Sequence, residues 1–211
     1  TDIASVDAQA YKANGIAATE EYYQRGTTNF APIVTRIMNQ KPEAVDLASS
    51  PPGDAGIIVK QLRQAGFEGA IGRLGGPGYS EISRVAGGDE VLKDFYWYEP
   101  VFIDEKVLKI ADDYKTLMKA ERPENNLFFQ WVSVARMVTK AIAKAGTAND
   151  TQQIAAALRS LPVDDPNLGA GGWIGQKFFG INQELSFPFG VGLVVKGKLQ
   201  PVQRVDAATE T

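Results

Sequence analysis

The chain has 211 residues, with 22 Lys and Arg against 25 Asp and Glu, so its formal net charge is −3. It contains neither Cys nor His, which removes disulfides, thiolate nucleophiles, Cys- or His-ligated metals, Ser–His–Asp catalysis and a histidine pH switch. The mild negative charge argues against nucleic acid, which wants a basic footprint, and no cofactor is expected.

In chain order, residues 6–14 read as the end of a helix stopped by Gly15, and residues 16–23 as a strand rich in β-formers. Thr27, Thr28 and Asn29 offer a cap to a helix over 30–40, where Ile33, Val34, Ile37 and Met38 share one face. Pro42 ends it, and 44–48 is a short apolar strand. After a turn, Asp54 caps a helix to about Ala65, closed by Gly66. A strand over 70–74, a Gly-rich loop, a helix over 79–86 and a strand over 91–98 follow. Strand and helix thus alternate over 16–98 with short connections, which predicts a mainly parallel sheet with helices on both faces.

The second half differs. Helices are predicted over 104–121, 127–145 and 151–161, the second capped by Asn125 or Asn126 and the third by Asp150. Residues 189–195 form a strand, and Lys196-Gly197 turns it into a second strand over 199–205. No run approaches the length of a membrane span. The opening TDIASVDAQAYKANG lacks the basic start and apolar core of a signal peptide.

Loops at the carboxyl ends of parallel strands line ligand crevices, which singles out two. Ser49, Ser50 and Pro51 lie in the first, where two hydroxyls could donate to a polar ligand group, unless they only make the turn. Gly75, Gly76 and Tyr79 lie in the second, where a ligand could approach the backbone, unless the glycines only serve the turn. This loop is not GxGxxG, so it does not point to a dinucleotide. Arg73 stands just before it, as a partner for an organic acid or as a surface charge at a strand end. Alternation puts Phe95 and Trp97 on one face of their strand and Tyr96 and Tyr98 on the other, so one pair packs in the core. The pairs Asp112–Asp113 and Asp164–Asp165 read as solvated residues, and Arg136, Lys140 and Lys144 as one polar helix face.

Five phrases in order resemble the type I periplasmic substrate-binding proteins of ABC transporters, the branched-chain amino acid receptor family. They are EEYYQRGTTNFAPIVTRI, EAVDLASSPPGDAGIIVKQLRQAGFEGAIG, SEISRVAGGD, VSVARMVTKAIAKAGTANDTQQIAAAL and GVGLVVKGKLQPVQRV. The resemblance implies an α/β fold with a three-layer αβα parallel sheet, two lobes joined by three crossing strands, and a ligand held between them. It assigns residues 1–100 to most of the second lobe, 101–165 to helices of the first lobe, and 166–211 to the return into the second. Roughly the first third of a family member is then absent. Phe129 matches an apolar wall position of the first lobe, and Trp97 and Tyr98 precede the crossing strands. Members that bind amino acids carry an acid for the ammonium at a position falling on Gly75. Its absence shifts the expectation from an ordinary amino acid toward an organic or aromatic acid.

The resulting expectation is a non-enzymatic periplasmic receptor. It takes up a small-molecule ligand by hinge closure and passes it to an ABC transporter permease. Its partner in the fold is the N-terminal portion of the same protein or a second copy, because the helices of 104–161 lose the sheet they should cover. A cytosolic ligand-sensing domain of the same fold is the alternative, and an α/β enzyme a weaker one.

Overall fold

The computed structural model describes residues 2–123 and 125–208. The chain begins with α1 (Asp2–Ala13) and α2 (Ala31–Asn39), then β1 (Ala44–Asp46), α3 (Pro52–Gln64), β2 (Ala70–Arg73), α4 (Tyr79–Ala86), α5 (Asp89–Leu92) and β3 (Phe95–Glu99). Next come α6 (Glu105–Met118), α7 (Leu127–Ala145), α8 (Thr151–Arg159), β4 (Asp164–Asp165), β5 (Gly169–Ala170), β6 (Gly172–Ile174), α9 (Gln176–Phe179) and β7 (Glu184–Ser186). The chain ends with β8 (Phe189–Val195), β9 (Lys198–Leu199) and β10 (Gln203–Val205). Two compact units emerge, one of residues 1–98 and 191–202, the other of 99–190 and 203–211. The chain therefore passes between them three times, at 98/99, 190/191 and 202/203. No helix among the described residues is long and apolar enough to cross a membrane.

In the first unit β1, β2 and β3 run parallel, with Ala44 opposite Ala70 and Ile71 opposite Phe95. β8 follows β3 in the strand order, and β9 folds back on β8 through the Lys196-Gly197 turn, pairing Val194 with Leu199. The core gathers Phe30 at the start of α2, Ile33 and Val34 from α2, Ile58, Val59 and Leu62 from α3, Ile71 from β2, and Phe95 and Trp97 from β3. Ile33 and Val34 belong to the apolar face that spacing marked on α2. A Cβ at Gly192 would stand 2.0 Å from the Trp97 ring, so only glycine lets β8 pass this indole. The second unit has its own core of Val101, Val107, Ala111, Phe129 and Leu168. Here Asp104, read from the sequence as the first residue of the helix, caps α6 by accepting from the amides of Lys106 and Val107, and Asp150 caps α8 through Gln152 and Gln153, as the sequence predicts.

Five expectations need correction. Residues 16–23 form no strand, because no strand lies beside them to share hydrogen bonds. The strand expected over 91–98 is shortened by α5, whose first turn carries Asp89 and Glu90 at the favourable end of the helix dipole. α3 starts one turn earlier than Asp54, with Pro52 at its first position, so Asp54 sits inside the first turn. Lastly, α6 stops at Met118, and the strand expected over 199–205 divides around Pro201, which has no amide to donate.

The β strands are short, so many carbonyls fall in loops and need donors. Arg63 of α3 supplies several. Its Nη1 donates to Phe67 and Gly69 at 2.8 and 2.7 Å, its Nη2 to Leu92 and Asp94 at 2.7 and 3.4 Å, and its Nε to Val91 at 3.3 Å. The guanidinium also lies 5.6 Å from the Phe67 ring centre. Arg63→Met should therefore destabilise the first unit by about 2–3 kcal/mol in urea unfolding, and Arg63→Lys by less, since one ammonium cannot span these carbonyls.

Candidate ligand site

Two loops leave the carboxyl ends of β1 and β2, where open α/β sheets hold their ligands. They touch backbone to backbone. The Leu47 amide donates to Gly72 at 2.7 Å, and the Gly75 amide to Ala48 at 3.2 Å. A Cβ at position 75 would lie 2.5 Å from the Ala48 carbonyl oxygen. Gly75 is thus a glycine because the Ala48 backbone takes the space, and no acidic side chain fits there in this arrangement.

Arg73 fastens the same two loops. Its Nε donates to the Ser50 carbonyl at 2.8 Å, and its Nη1 to the carbonyls of Gly76 and, at 2.6 Å, Pro77. The residue is only 5% exposed, so it is not the surface charge allowed for by the sequence. Burial lowers its pKa, while Tyr23, Asp46 and Glu81 act in the opposite sense. Among the described residues no carboxylate comes within 4 Å of it. The result is an enclosed cation neutralised only at a distance.

Tyr79, the first residue of α4, is half-buried. Its ring stacks on Trp97 at 4.2 Å and 11°, and its hydroxyl donates to Asp89, which also accepts from Ser83. Burial and then Asp89 push the Tyr79 pKa up. Trp97 is 2% exposed and packs between Tyr79 and Phe95, so the core pair of the alternation is Phe95 with Trp97. Tyr96 and Tyr98 are half-buried on the opposite face. Phe129 belongs to the second unit, 3% exposed in its core and edge-on to Phe128 at 5.3 Å. Of the predicted residues, the structure brings together Ser49, Ser50, Pro51, Arg73, Gly75 and Gly76 in the paired loops, with Tyr79 and Trp97 packed behind them.

Sequence reasoning missed a cavity of about 560 Å³ in the first unit. It lies between α1, the segment 16–23 and β1, and Ser49, Ser50 and Pro51 close one end. Among its polar groups is Asp46, which accepts from the Tyr11 hydroxyl at 2.5 Å and from the Ala48 amide at 2.8 Å. Tyr11 is held protonated by burial first and Asp46 second. Asp7 also lines the cavity, with a buried Oδ2 that has no hydrogen-bond partner. The signal was Asp46 itself, an acid inside the apolar run Ala44 to Ala48. A second cavity, about 300 Å³, lies in the other unit against Met137, Trp173 and Leu185. Among the described residues no group of three acids could hold a metal ion.

A family profile described as periplasmic binding protein matches residues 3–185. The chain belongs to that family. Solved structures share its fold. One is a leucine-binding protein, LivK, from Thermotoga maritima, with 16% identity and a TM-score of 0.72, covering 96% of this chain and 56% of that one. Another is the branched-chain amino acid transporter substrate-binding protein LivJ from Streptococcus pneumoniae, in complex with isoleucine, at 18% identity and a TM-score of 0.67. It covers 98% of this chain and 57% of that one. A third is an ABC-transporter solute-binding protein from R. palustris in complex with benzoate, at 12% identity and a TM-score of 0.70, covering 98% and 55%. The chain spans little more than half the length of these neighbours. A comparison with curated protein sequences finds no match.

Asp7 offers a test of the cavity. Burial and then Asp46 raise its pKa, so ionisation costs the folded state more than the unfolded one. Stability then falls as pH rises through the Asp7 titration. Asp7→Asn should raise the stability at pH 7, and with it the melting temperature, by less than about 1 kcal/mol of unfolding free energy, because the group is only partly enclosed. The gain should vanish near pH 3, roughly, where both carboxyl states are protonated. Melting curves at the two pH values check this.

Proposed function

We propose that the protein is an extracytoplasmic solute receptor that binds a small organic anion, a carboxylic acid or amino-acid-like compound, for uptake by an ABC transporter. The observation that carries this reading is Arg73, buried without a carboxylate partner under two touching loops at the ends of β1 and β2. An enclosed cation draws negative charge to the surface above it. Ser49 and Ser50 supply hydroxyl donors there, and the loop backbone supplies amides. Isoleucine and benzoate, the molecules bound by two structural neighbours, share a carboxylate, which supports an anionic group as the common feature. The neighbours are binding proteins, which supports a receptor over an enzyme.

In this reading the first unit is the second lobe of the receptor, and residues 104–165 belong to the first lobe. Ligand contacts to both lobes favour the closed form, which a membrane permease recognises. The residence is periplasmic. Arg73 acts through its charge, since its Nε and Nη1 are already engaged by loop carbonyls.

Thermal shift of the full-length protein tests the ligand class. A ligand at a hundred times its Kd stabilises the native state by about 2.7 kcal/mol. Benzoate and short aliphatic acids should raise the melting temperature, and more than leucine or valine does. Benzamide, the neutral counterpart of benzoate, should not. Equal shifts with benzoate and benzamide would overturn the anion reading.

The partner reading has a separate check. On α7, Trp131 is 66% exposed and shares a helical stripe with Val138, while Leu117 of α6 is 78% exposed. Such apolar side chains invite cover, from the N-terminal portion of the protein or from a second copy. Light scattering of the 211-residue chain alone should give a mass above that of a monomer, and Trp131→Glu should bring it down. A monodisperse wild-type monomer would overturn this.

A further inference from the structure

Three groups act on the Arg73 guanidinium, and they are engaged to different degrees. Tyr23 keeps its proton at neutral pH, because burial raises its pKa. Asp46 is committed elsewhere. Its carboxylate accepts from the Ala48 amide at 2.8 Å and from the Tyr11 hydroxyl at 2.5 Å, across the groove that the 560 Å³ cavity makes beside β1. Glu81 is the uncommitted one. It lies in the first turn of α4 and is exposed. Among the described residues its carboxylate accepts no hydrogen bond and has no cation within 4 Å.

Helix packing brings that carboxylate to the paired loops. α3 and α4 each follow one of the loops, and they pack closely because Gly56 carries no side chain. A Cβ there would stand 2.6 Å from the Val85 Cβ and 3.0 Å from the Ile82 carbonyl oxygen. The approach is as close at the start of the two helices, where a Cβ at Gly78 would lie 2.5 Å from the Pro52 ring. Between these contacts, a Cβ at Gly53 would lie 3.2 Å from Glu81 Oε1. Glu81 therefore lies against the first turn of α3, two residues beyond the Ser49–Pro51 loop. From there it favours the charged form of Arg73, as a nearby carboxylate should.

We propose that Glu81 is a displaceable counter-charge of the anion site: it balances Arg73 in the absence of solute and swings away when a solute carboxylate arrives. An exposed carboxylate on a flexible side chain with no hydrogen bond leaves its place at little cost. A solute carboxylate gains the attraction of Arg73 as Glu81 departs, whereas an ammonium would lose to Arg73 what it gained from Glu81. Glu81 thus sets a threshold. It weakens every anion held by charge alone, so a solute must bring further contacts to displace it. The inference rests on the receptor reading for the solute, and adds the residue that tunes the loops toward organic acids and away from simple salt anions.

Calorimetric titration with benzoate in low salt compares the full-length protein with its Glu81→Gln variant. The variant should bind benzoate about two- to fivefold more tightly. The gain should shrink at about 1 M salt, where the screening length falls to about 3 Å. Melting curves without solute supply a separate readout. In low salt Glu81→Gln should melt about 1–3 °C below the unaltered protein, and millimolar sulfate, taking the place of the carboxylate, should close that gap. Equal benzoate affinity in the two proteins, or weaker binding by the variant, would overturn the counter-charge and leave the receptor reading in place. If neither protein binds benzoate, the carboxylic-acid reading falls and the melting curves decide the counter-charge alone. A gap closed by sulfate keeps it, and no gap, or one that sulfate leaves open, overturns it.

Discussion

Loop carbonyls at both ends of β2 need donors, and two arginines supply them. β1, β2 and β3 have three, four and five residues, so the ladder satisfies few backbone groups and the connections must satisfy the rest. Arg63 stands near the start of β2 and reaches carbonyls from the loops on either side of it. Arg73 ends β2 and reaches carbonyls from the loops that follow β1 and β2. A planar fork of five N–H groups does this where an ammonium would not. The price is desolvation, which lowers the pKa of both residues. At Arg63 that serves structure alone. At Arg73 it also leaves a cation beneath the loops where a solute would arrive.

Asp46 ties that loop pair to the groove. Its carboxylate accepts from the Ala48 amide, in the loop after β1, and from the Tyr11 hydroxyl, on α1. It also acts on Arg73 from one side and raises the pKa of Asp7 from the other. One acid in an apolar strand thus orients the first loop, anchors α1 across the groove and tempers the buried guanidinium. Its negative charge sits where the positive charge of Arg73 is needed for balance, yet far enough away to form no ion pair within 4 Å. That distance leaves Arg73 without a paired charge, which is what the proposed anion reading needs.

The readable parts of the sequence are those governed by near neighbours in the chain. Asp150 caps its helix because the bond runs only two or three residues forward. The face of α2 follows from spacing, and alternation sets Phe95 and Trp97 on one face without saying that this face is the buried one. The loops after β1 and β2 were legible as candidate sites because a parallel sheet exposes its carboxyl-end loops. What long-range packing decides was not legible. Residues 16–23 have strand-forming side chains but form no strand, because pairing depends on a second segment. Arg73 has the sequence of a strand-end charge, and only the meeting of two loops turns it into a buried staple. The glycine at 75 answers the Ala48 carbonyl, 27 positions earlier, and spacing carries no sign of that contact.

These two kinds of constraint meet at the groove. The segment 16–23 satisfies its side chains locally, through Arg36, Gln40 and Phe30, and leaves its backbone unpaired. β1 satisfies one edge through β2 and ends the sheet on the other. Backbone groups left in this way cost more the farther they lie from water. The groove between the two segments is lined by Ile33, Ile37 and Ile58 but also by Asp7, Glu20, Glu21, Arg25, Ser49 and Ser50, so polar side chains share with apolar ones the work of surrounding it.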